Sequence, residues 1–435
     1  MVKPVDMSPR NAVIVGYDAV SPLGTDMAAQ WDKAVRGRSG IGALTRFALT
    51  DDFPVRIAGQ VPDINTRIDV GIDTGIDNGP YPFLSPRSLA LWPSPIFKHA
   101  LLVAHRALVK SRIEITPELS PRVAITFSSA VGGLDAFLAA DRRMISENKL
   151  PPPYANPNSC INMVGGKISI LTQATGPILS TITACATGVT SMIIGTLLLE
   201  QGRADVVICG AVDFPLVAPI VAGFATMGGA YHLPSGKNPE PATRSSRPFS
   251  VDRRGFVISE GAGAVILASK AFARTHGLNY NIEIAGWGMT SDAHHFVAPH
   301  LKTAARCIAE CIDSSGISPQ DIDVVNAHAT STKVGDQVEY QALEAVFGKA
   351  IPPVSANKSL IGHAMGASSA IESIFAMEGM MHGMVPPTLN YTPDPEMALD
   401  CVSEGARRLD QEYVLKNSFG FGGCNSCIVF HRTDR

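Results

Sequence analysis

The sequence has little charge and no excess of either sign. Only 17% of its 435 residues are charged, and 36 basic against 39 acidic side chains leave a formal net charge of -3. A protein that binds nucleic acid or an anionic membrane over a broad surface needs a basic field. The composition argues against both functions and leaves room only for a local basic patch facing an acidic partner protein.

The N-terminal stretch lacks the basic, apolar and small-residue blocks of a secretory signal peptide. A second stretch, residues 168–199, contains no charge, but Gly176, Pro177 and many Thr and Ser interrupt it. This pattern predicts a buried strand and helix rather than a membrane span, which needs about 20 apolar residues. We expect a cytoplasmic protein that does not contact a membrane.

The eight cysteines lack the spacing of a zinc site. Cys424 and Cys427 form a CxxC pair, but no second ligand pair stands at zinc spacing. Disulfides are improbable inside the cell, and free cysteines are usually buried packing residues. We therefore predict no metal and no bound cofactor.

The length and 46% hydrophobic content predict two core units or one duplicated fold. The second half repeats features of the first. The apolar run 123–127 with its turn SSAVGG parallels 322–326 with HATST, and ACATGVTSM parallels GHAMGASSAIES. These parallels predict an α/β duplication in which two mixed sheets pack around shared helices.

Cys185 lies between two predicted elements. A β-branched strand is expected to end at Thr181–Thr183, and apolar residues at helical spacing begin at Thr187. Unpaired N–H groups and the helix dipole at a helix N-terminus stabilise a thiolate and lower a thiol pKa that is normally about 8.5. Cys185 is thus either a nucleophile or one more buried structural cysteine.

Two histidines stand in similar settings. His328 follows the apolar strand IDVVNA, and His363 lies in the turn NKSLIGHAMGAS before a helix. Active-site residues of open α/β folds gather beyond the carboxyl ends of strands. We therefore expect Cys185, His328 and His363 to meet in one crevice, although an isolated histidine is more often a satisfied core or surface residue.

Four motifs together resemble a known family: ACATG, NAHATSTKVGD, NKSLIGHAMGA and NSFGFGG. They resemble the β-ketoacyl-acyl-carrier-protein synthases of the elongating type, similar to synthases I and II, with a Cys-His-His triad. Further matches extend the resemblance over residues 11–430: SPLG, SRPFSVDRRGFVISEGAGA and MVPPTLNYTPDPE. The resemblance implies a duplicated thiolase-like fold, layered α-β-α-β-α with two mixed sheets. Its halves would span residues 11–268, with the nucleophile, and 280–432, with both histidines.

The resemblance also implies a reaction, the decarboxylative Claisen condensation of an acyl thioester with malonyl-acyl carrier protein. Cys185 would accept the acyl group, with the backbone N–H groups of Cys185 and Phe421 as the oxyanion hole. His328 and His363 would then stabilise the enolate formed as carbon dioxide leaves. The substrates would arrive on the phosphopantetheine arm of an acyl carrier protein. The enzyme would form a homodimer with its interface near the nucleophile helix, with a heterodimer containing a chain-length-factor-like subunit as the alternative.

Other positions take roles by the same resemblance. Lys358 matches the family lysine and Glu339 the acidic residue that pairs with it, although a surface ion pair is the alternative. Thr330 and Thr332 match hydroxyls that hold the phosphopantetheine arm. The acyl pocket and its gate would be formed by Val131, Phe224, Phe419 and Phe421.

Several positions depart from the family pattern. Ala329 replaces a glycine, Ser250 and Arg254 replace aspartates, and Cys424 stands where threonine is frequent. The stretch from 63 to 95 is also longer and less regular than the family leads us to expect. These departures are compatible with a specialised synthase of a polyketide, aryl-polyene or secondary lipid pathway as well as with fatty acid synthesis.

Three other functions compete with a synthase. A thiolase would use a second cysteine, for which Cys424 is available, but would not need the two histidines. A chain-length-factor-like subunit would be a non-catalytic partner in a heterodimer, but such subunits typically lack the nucleophilic cysteine. A cysteine hydrolase would need water access to Cys185.

Overall fold

The computed structural model of the protein describes residues 12–64, 82–232 and 240–433. The β-strands in these ranges are β1 (Ala12–Val20), β2 (Ile41–Ala43), β3 (Ile57–Gly59), β4 (Val123–Ser128), β5 (Val206–Asp213), β6 (Gly261–Ser269), β7 (Ile282–Ser291), β8 (Val324–Asn326), β9 (Val354–Ser355), β10 (Met384–Val385), β11 (Arg407–Arg408), β12 (Tyr413–Gly420) and β13 (Cys424–Arg432). The α-helices are α1 (Met27–Val35), α2 (Pro86–Leu91), α3 (Pro95–Ser111), α4 (Leu134–Glu147), α5 (Ala155–Ser159), α6 (Asn162–Thr172), α7 (Thr187–Glu200), α8 (Ala218–Thr226), α9 (Lys270–Thr275), α10 (Leu301–Ser315), α11 (Lys333–Phe347), α12 (Lys358–Ile361) and α13 (Met365–His382).

The main sheet contains two corresponding sets of strands. Its order is β4-β5-β6-β1-β7-β13-β12-β8-β9. Counted outward from the middle, β1, β6, β5 and β4 occupy the places that β7, β13, β12 and β8 occupy on the other side. Within the described ranges, the two sets pair with each other only where Val13 lies opposite Glu283 and Ile14 opposite Ile282. The duplicated α/β fold is confirmed. The short pairing of β1 with β7 joins the two predicted sheets into one nine-stranded sheet.

Three helical layers enclose these two sets of strands. Helices α3 and α6 pack on the outer face of the β4–β1 set, and α10 and α11 on the outer face of the β7–β9 set. Helices α7 and α13 lie between them, and their apolar side chains share one core with strands of both sets. This is the predicted order of layers, because each sheet face is apolar and is covered by a helix.

The two central helices cross closely. A Cβ atom on Gly188 of α7 would come within 2.4 Å of the backbone nitrogen of Ala370 on α13. Only glycine permits that approach. The crossing brings the N-terminal ends of α7 and α13, and therefore Cys185 and His363, to the same place.

One predicted strand is absent. The segment before Cys185 makes a single bridge, between Ile178 and Ile125, and is otherwise extended coil. The prediction of a strand through Thr181–Thr183 is wrong because the backbone N–H of Thr183 donates to the Thr187 hydroxyl, at 3.1 Å, instead of to a neighbouring strand. This local bond begins the turn that carries Cys185.

Part of the irregular stretch predicted between 63 and 95 falls at 65–81 and lies outside the described residues. Its C-terminal part contains α2 and the start of α3. No helix in the ranges that the structure covers is long and apolar enough to cross a membrane.

Candidate active site

Cys185 lies in a tight 3-10 turn, Ala184–Ala186, immediately before α7. Ala184 has a φ of 47°, in the left-handed region that alanine rarely adopts. The Thr187 hydroxyl holds this conformation by donating to the carbonyl oxygen of Ala184 at 2.7 Å. The strained turn positions the thiol to line a cavity.

His363 contacts the thiol directly. Its Nε2 atom lies 3.0 Å from the Sγ atom of Cys185, and its Nδ1 atom lies 3.0 Å from the hydroxyl oxygen of Ser368. The backbone N–H of His363 donates to the carbonyl oxygen of Val257 at 2.7 Å, which anchors the turn before α13. The thiol and the imidazole therefore lie within hydrogen-bonding distance of each other.

His328 follows β8 and completes the group. Its ring centre lies 5.8 Å from that of His363, with the two planes at 87°. The Glu339 carboxylate fixes the turn by accepting the backbone N–H groups of His328 and Ala329 at 2.8 and 2.7 Å. Cys185, His328 and His363 therefore lie together, as the sequence predicted.

Lys358 has a different partner from the one expected. Its Nζ atom donates to Glu372 at 2.6 Å and to the carbonyl oxygen of His328 at 2.5 Å. The predicted pair of Lys358 with Glu339 is therefore wrong, because Glu339 is used by the His328 turn whereas Glu372 on α13 faces the lysine. Lys358 and Glu372 are both fully buried, so the alternative of a surface ion pair is wrong as well.

A second lysine shares the same carboxylate. Lys416 of β12 lies 2.8 Å from the other oxygen of Glu372 and is also fully buried. Two lysines and the carboxylates of Glu372 and Glu339 thus form a compact cluster behind the histidines. Buried charges are tolerated only when they are paired and hydrogen-bonded in this way.

The acidities of the site are set mainly by burial. Burial raises the pKa of Cys185 to about 12, although the Lys358 ammonium and the Phe421 backbone N–H act in the opposite direction. The expectation of a lowered thiol pKa at the helix N-terminus is therefore wrong for the free enzyme, since desolvation outweighs the helix end. Burial, followed by the Lys358 and Lys416 ammonium groups, holds the pKa of His363 well below its usual range.

His328 is affected in the same direction. Burial comes first, and the Lys358 ammonium, His363 and the Lys416 ammonium add to it, so the pKa of His328 also lies well below its usual range. Both imidazoles are neutral near pH 7. A neutral imidazole keeps one N–H, which it can donate to a developing oxyanion.

A mainly apolar cavity of about 830 Å³ opens onto these groups. The predicted residues that line it are Cys185, His328, His363, Thr330, Thr332, Val131, Phe224, Phe419 and Phe421. Lys358 and Glu339 do not line it and lie behind the histidine turns. In the described ranges no group of three or more His, Cys, Asp or Glu side chains could hold a metal ion.

Sequence reasoning missed three polar residues beside the cavity. Asp213 ends β5 and accepts N–H or O–H bonds from residues 129, 130, 131 and 367. Lys416 contacts Glu372, and Ser368 contacts His363. A charge in or at the end of a predicted buried strand could have pointed to Lys416 and Asp213, whereas no sequence signal distinguishes Ser368 from its neighbours.

A buried thiol in contact with an imidazole at an apolar cavity is suited to transferring acyl groups through a thioester. The chain matches the model described as "Beta-ketoacyl synthase, N-terminal domain" over residues 10–273 and the one described as "Beta-ketoacyl synthase, C-terminal domain" over residues 282–392. The protein belongs to the β-ketoacyl synthase family.

Named relatives match over nearly their whole length. The chain is 34% identical over 429 residues to 3-oxoacyl-[acyl-carrier-protein] synthase 2 of Staphylococcus aureus strain COL, covering 97% of this chain and 98% of the relative. It is 32% identical over 439 residues to the enzyme of the same name from Coxiella burnetii strain RSA 493, covering 98% and 99%. The predicted enzyme class, a β-ketoacyl-acyl carrier protein synthase, is confirmed.

Solved structures agree. A β-ketoacyl synthase from Burkholderia phymatum STM815 aligns with a TM-score of 0.86 and 27% identity, covering 98% of this chain and 100% of that one. A chain from a type II PKS acyl-carrier protein in complex with its ketosynthase bound to the hexaketide gives the same TM-score at 26% identity and the same coverage. The predicted condensation, in fatty acid or polyketide synthesis, is thereby supported by both sequence and fold.

Proposed function

We propose that Cys185 carries the growing acyl chain. The observation that supports this most directly is the 3.0 Å contact between its Sγ atom and His363 Nε2 at the cavity. The thiol attacks the thioester of an acyl carrier protein, the new bond joins the acyl carbon to Sγ, and the carrier thiol leaves with the proton that Cys185 loses. Backbone N–H groups of Cys185 and Phe421 stabilise the oxyanion of this step, and the interaction of the Phe421 N–H with the thiol supports that role.

His328 and His363 act in the second step. A malonyl thioester loses carbon dioxide, and the two imidazole N–H groups stabilise the negative charge on its thioester oxygen. The carbanion attacks the acyl carbon, Cys185 leaves as a thiolate and takes up one proton, and the β-ketoacyl chain departs on the carrier. The perpendicular rings, 5.8 Å apart at one cavity, support a shared oxyanion site.

Lys358 and Glu339 are positioning residues in this proposal. Lys358 holds the His328 carbonyl oxygen and Glu339 holds the adjacent N–H groups, so both act through the His328 turn rather than on substrate. The Lys358 ammonium also helps to hold the pKa values of both imidazoles below their usual range.

The substrate enters along the polar side of the cavity. The hydroxyl oxygens of Thr330 and Thr332 lie 3.0 Å apart and line it, which supports their contact with the phosphopantetheine arm. Val131, Phe224 and Phe419 line its apolar part and form the acyl pocket, with Phe421 as the gate. No bound cofactor is needed, because the substrates carry their own thioesters.

The working enzyme is a dimer. Large apolar side chains are exposed on α4 and on the segment leading to Cys185: Leu134, Phe137, Ile178, Leu179 and Ile182. A second copy of the chain would cover them. One solved relative is the ishigamide ketosynthase/chain length factor, 27% identical with a TM-score of 0.84, so a heterodimer is the alternative.

The chain divides into two halves between residues 268 and 280. The two family models meet between residues 273 and 282, which supports this division.

Variants of the three central residues test this function. Cys185→Ala should abolish acyl transfer, whereas His328→Ala and His363→Ala should still become acylated but lose malonyl decarboxylation on the order of 10²-fold, because one oxyanion donor is gone. Mass spectrometry locates the acyl group, and release of carbon dioxide from malonyl-carrier measures the second step.

Cys160→Ala is the matched control, since Cys160 is an exposed thiol away from the cavity. It should be acylated at Cys185 like the wild type. Acylation of the Cys185→Ala protein at another residue, or full decarboxylation by both histidine variants, would contradict the proposal.

A further inference from the structure

Ser368 lies on the first turn of α13 and is fully buried. Its hydroxyl oxygen accepts the backbone N–H of Ala364 at 2.7 Å and lies 3.0 Å from Nδ1 of His363. Nothing in the reaction proposed above uses this hydroxyl. It nevertheless contacts the ring nitrogen that faces away from Cys185.

The hydrogens of these contacts can be assigned. The N–H of Ala364 can only donate, so Ser368 Oγ is its acceptor and still has one O–H of its own to place. In the part of the chain that the structure describes, His363 Nδ1 is the acceptor within reach of that hydrogen. If Nδ1 carried a proton instead, the buried hydroxyl hydrogen would be left without a partner, which is unfavourable.

We propose that Ser368 is a positioning residue that holds His363 in the tautomer with its proton on Nε2. This inference deepens the proposed function and rests on it for its catalytic meaning. The Nε2–H then points at Cys185 Sγ in the free enzyme, at 3.0 Å, where it is placed to stabilise negative charge on the sulfur once the thiol loses its proton. Once the sulfur is acylated, the same N–H is available to the malonyl thioester oxygen.

The companion histidine has no such support. His328 Nδ1 is buried and has no hydrogen-bond partner within the described ranges. The protein therefore fixes the tautomer of one imidazole through a serine hydroxyl and leaves that of the other to the substrate. This asymmetry makes His328 an internal reference for a spectroscopic test.

The test is the ¹⁵N chemical shift of the ring nitrogens in protein labelled at histidine, with signals assigned by His363→Ala and His328→Ala. In the wild type at pH 7, His363 should show a protonated Nε2 and an unprotonated Nδ1. A wild-type His363 protonated on Nδ1 overturns the proposal without any need for a Ser368 variant. This readout is independent of activity, so failure of the condensation function and failure of the tautomer assignment are distinguishable.

Variants then connect the tautomer to chemistry. Ser368→Ala should give a mixture of tautomers and reduce malonyl decarboxylation about tenfold, because part of the enzyme no longer presents the donor. Acylation of Cys185 should fall less than threefold on the same reasoning. Ser368→Thr keeps the hydroxyl and should restore both the wild-type shifts and the wild-type rate.

Ser373→Ala is the matched control, since Ser373 is a buried serine on the same helix whose hydroxyl donates to the carbonyl oxygen of Ser369 at 2.7 Å. It should leave the His363 shifts and the decarboxylation rate unchanged. The proposal is overturned if Ser368→Ala keeps the wild-type shifts, or if Ser373→Ala loses decarboxylation to the same extent.

Discussion

The carboxylate of Glu372 is shared by two lysine ammonium groups behind the catalytic histidines. Lys358 takes one of its oxygens and Lys416 the other, at 2.6 and 2.8 Å. Lys416 is the more unusual of the two because it lies in the buried middle of the strand YVLKNSFG. Its positive charge also contributes to holding the pKa values of His328 and His363 below their usual range.

Lys416→Met should therefore move the acid limb of the decarboxylation profile to higher pH. A nearby cation favours the neutral imidazole, so its removal raises both histidine pKa values and the donors become charged at a higher pH than in the wild type. The rate of carbon dioxide release between pH 4.5 and 8 measures the shift.

Lys270→Met is the control for this substitution. Lys270 donates to the buried Glu283 at 2.6 Å, outside the site, and Glu283 keeps His431 as a second partner. The control should lose stability without moving the acid limb. An unchanged profile in Lys416→Met, or an equal shift in both variants, would show that Lys416 does not act on the histidines.

At the scale of single residues, the sequence predicted the groups that lie on recognisable turns and missed the partners behind them. Cys185, His328 and His363 stand in motifs, whereas the choice between Glu339 and Glu372 for Lys358 depends on which helix face meets the lysine. The thiol pKa was mispredicted for a related reason. A helix N-terminus is visible in a sequence, but the depth of burial that outweighs it is not.

Asp213 connects two elements of the site. Its carboxylate accepts the Val131 N–H at 2.9 Å from the loop after β4, and the Ala367 N–H at 3.1 Å from the first turn of α13. It also accepts the hydroxyl of Ser129 at 2.7 Å. One side chain thus ties the acyl-pocket loop to the helix that begins beside His363.

Asp213→Asn should loosen that connection. An amide NH₂ in place of one carboxylate oxygen faces N–H donors, and each donor left unsatisfied costs about 1–3 kcal/mol of the free energy of unfolding. Urea unfolding measures the loss. The loop that carries Val131 should also become less ordered, so discrimination between acyl chains of different lengths should weaken.

Asp323→Ala offers a comparison outside the site, because alanine, unlike asparagine, leaves no oxygen for the two donors that share Oδ2 of Asp323. Asp323 also accepts two backbone N–H groups, those of Glu412 and Tyr413, at 2.6 and 2.9 Å. It should lose comparable stability while its transfer rates keep the wild-type dependence on chain length. The same change in chain preference in both variants would assign the effect to general destabilisation.

At the scale of elements, the apolar strands and the helices that follow capping residues were predictable. Helix α3 begins at Pro95, and Asp26 caps α1 by accepting the Ala29 N–H. The conformation of the segment before Cys185 was not predictable. Its Thr-rich composition favours a strand, but the hydrogen bond from the Thr183 N–H to the Thr187 hydroxyl turns the backbone instead. The hydrogen bond in the turn that carries Cys185 therefore outweighs the strand propensity of these residues.

For the whole molecule, the assembly can be tested on α4. Phe137 is exposed on this helix, 47% by area, in the proposed dimer face. Phe137→Glu would place a charge in an apolar interface and should convert the dimer to a monomer, as measured by sedimentation velocity at micromolar concentration.

Val109→Glu provides the control, since Val109 is a more exposed apolar residue, 62%, near the end of α3 and outside the proposed face. It should sediment as the wild type does. A wild type that sediments as a monomer, or a Phe137→Glu protein that remains a dimer, would contradict the proposal that α4 lies in the dimer interface.

The order of strands also has a consequence for how the chain is made. β7 pairs along its whole length with β13, which lies at the far end of the described chain and yet in the interior of the sheet. At about 5–20 residues per second, a ribosome completes β13 roughly 7 to 28 seconds after it completes β7. During that interval β7, with its apolar residues, has an unpaired edge, which is a template for aggregation. We therefore expect nascent chains stalled before residue 424 to bind chaperones and full-length chains to be released from them.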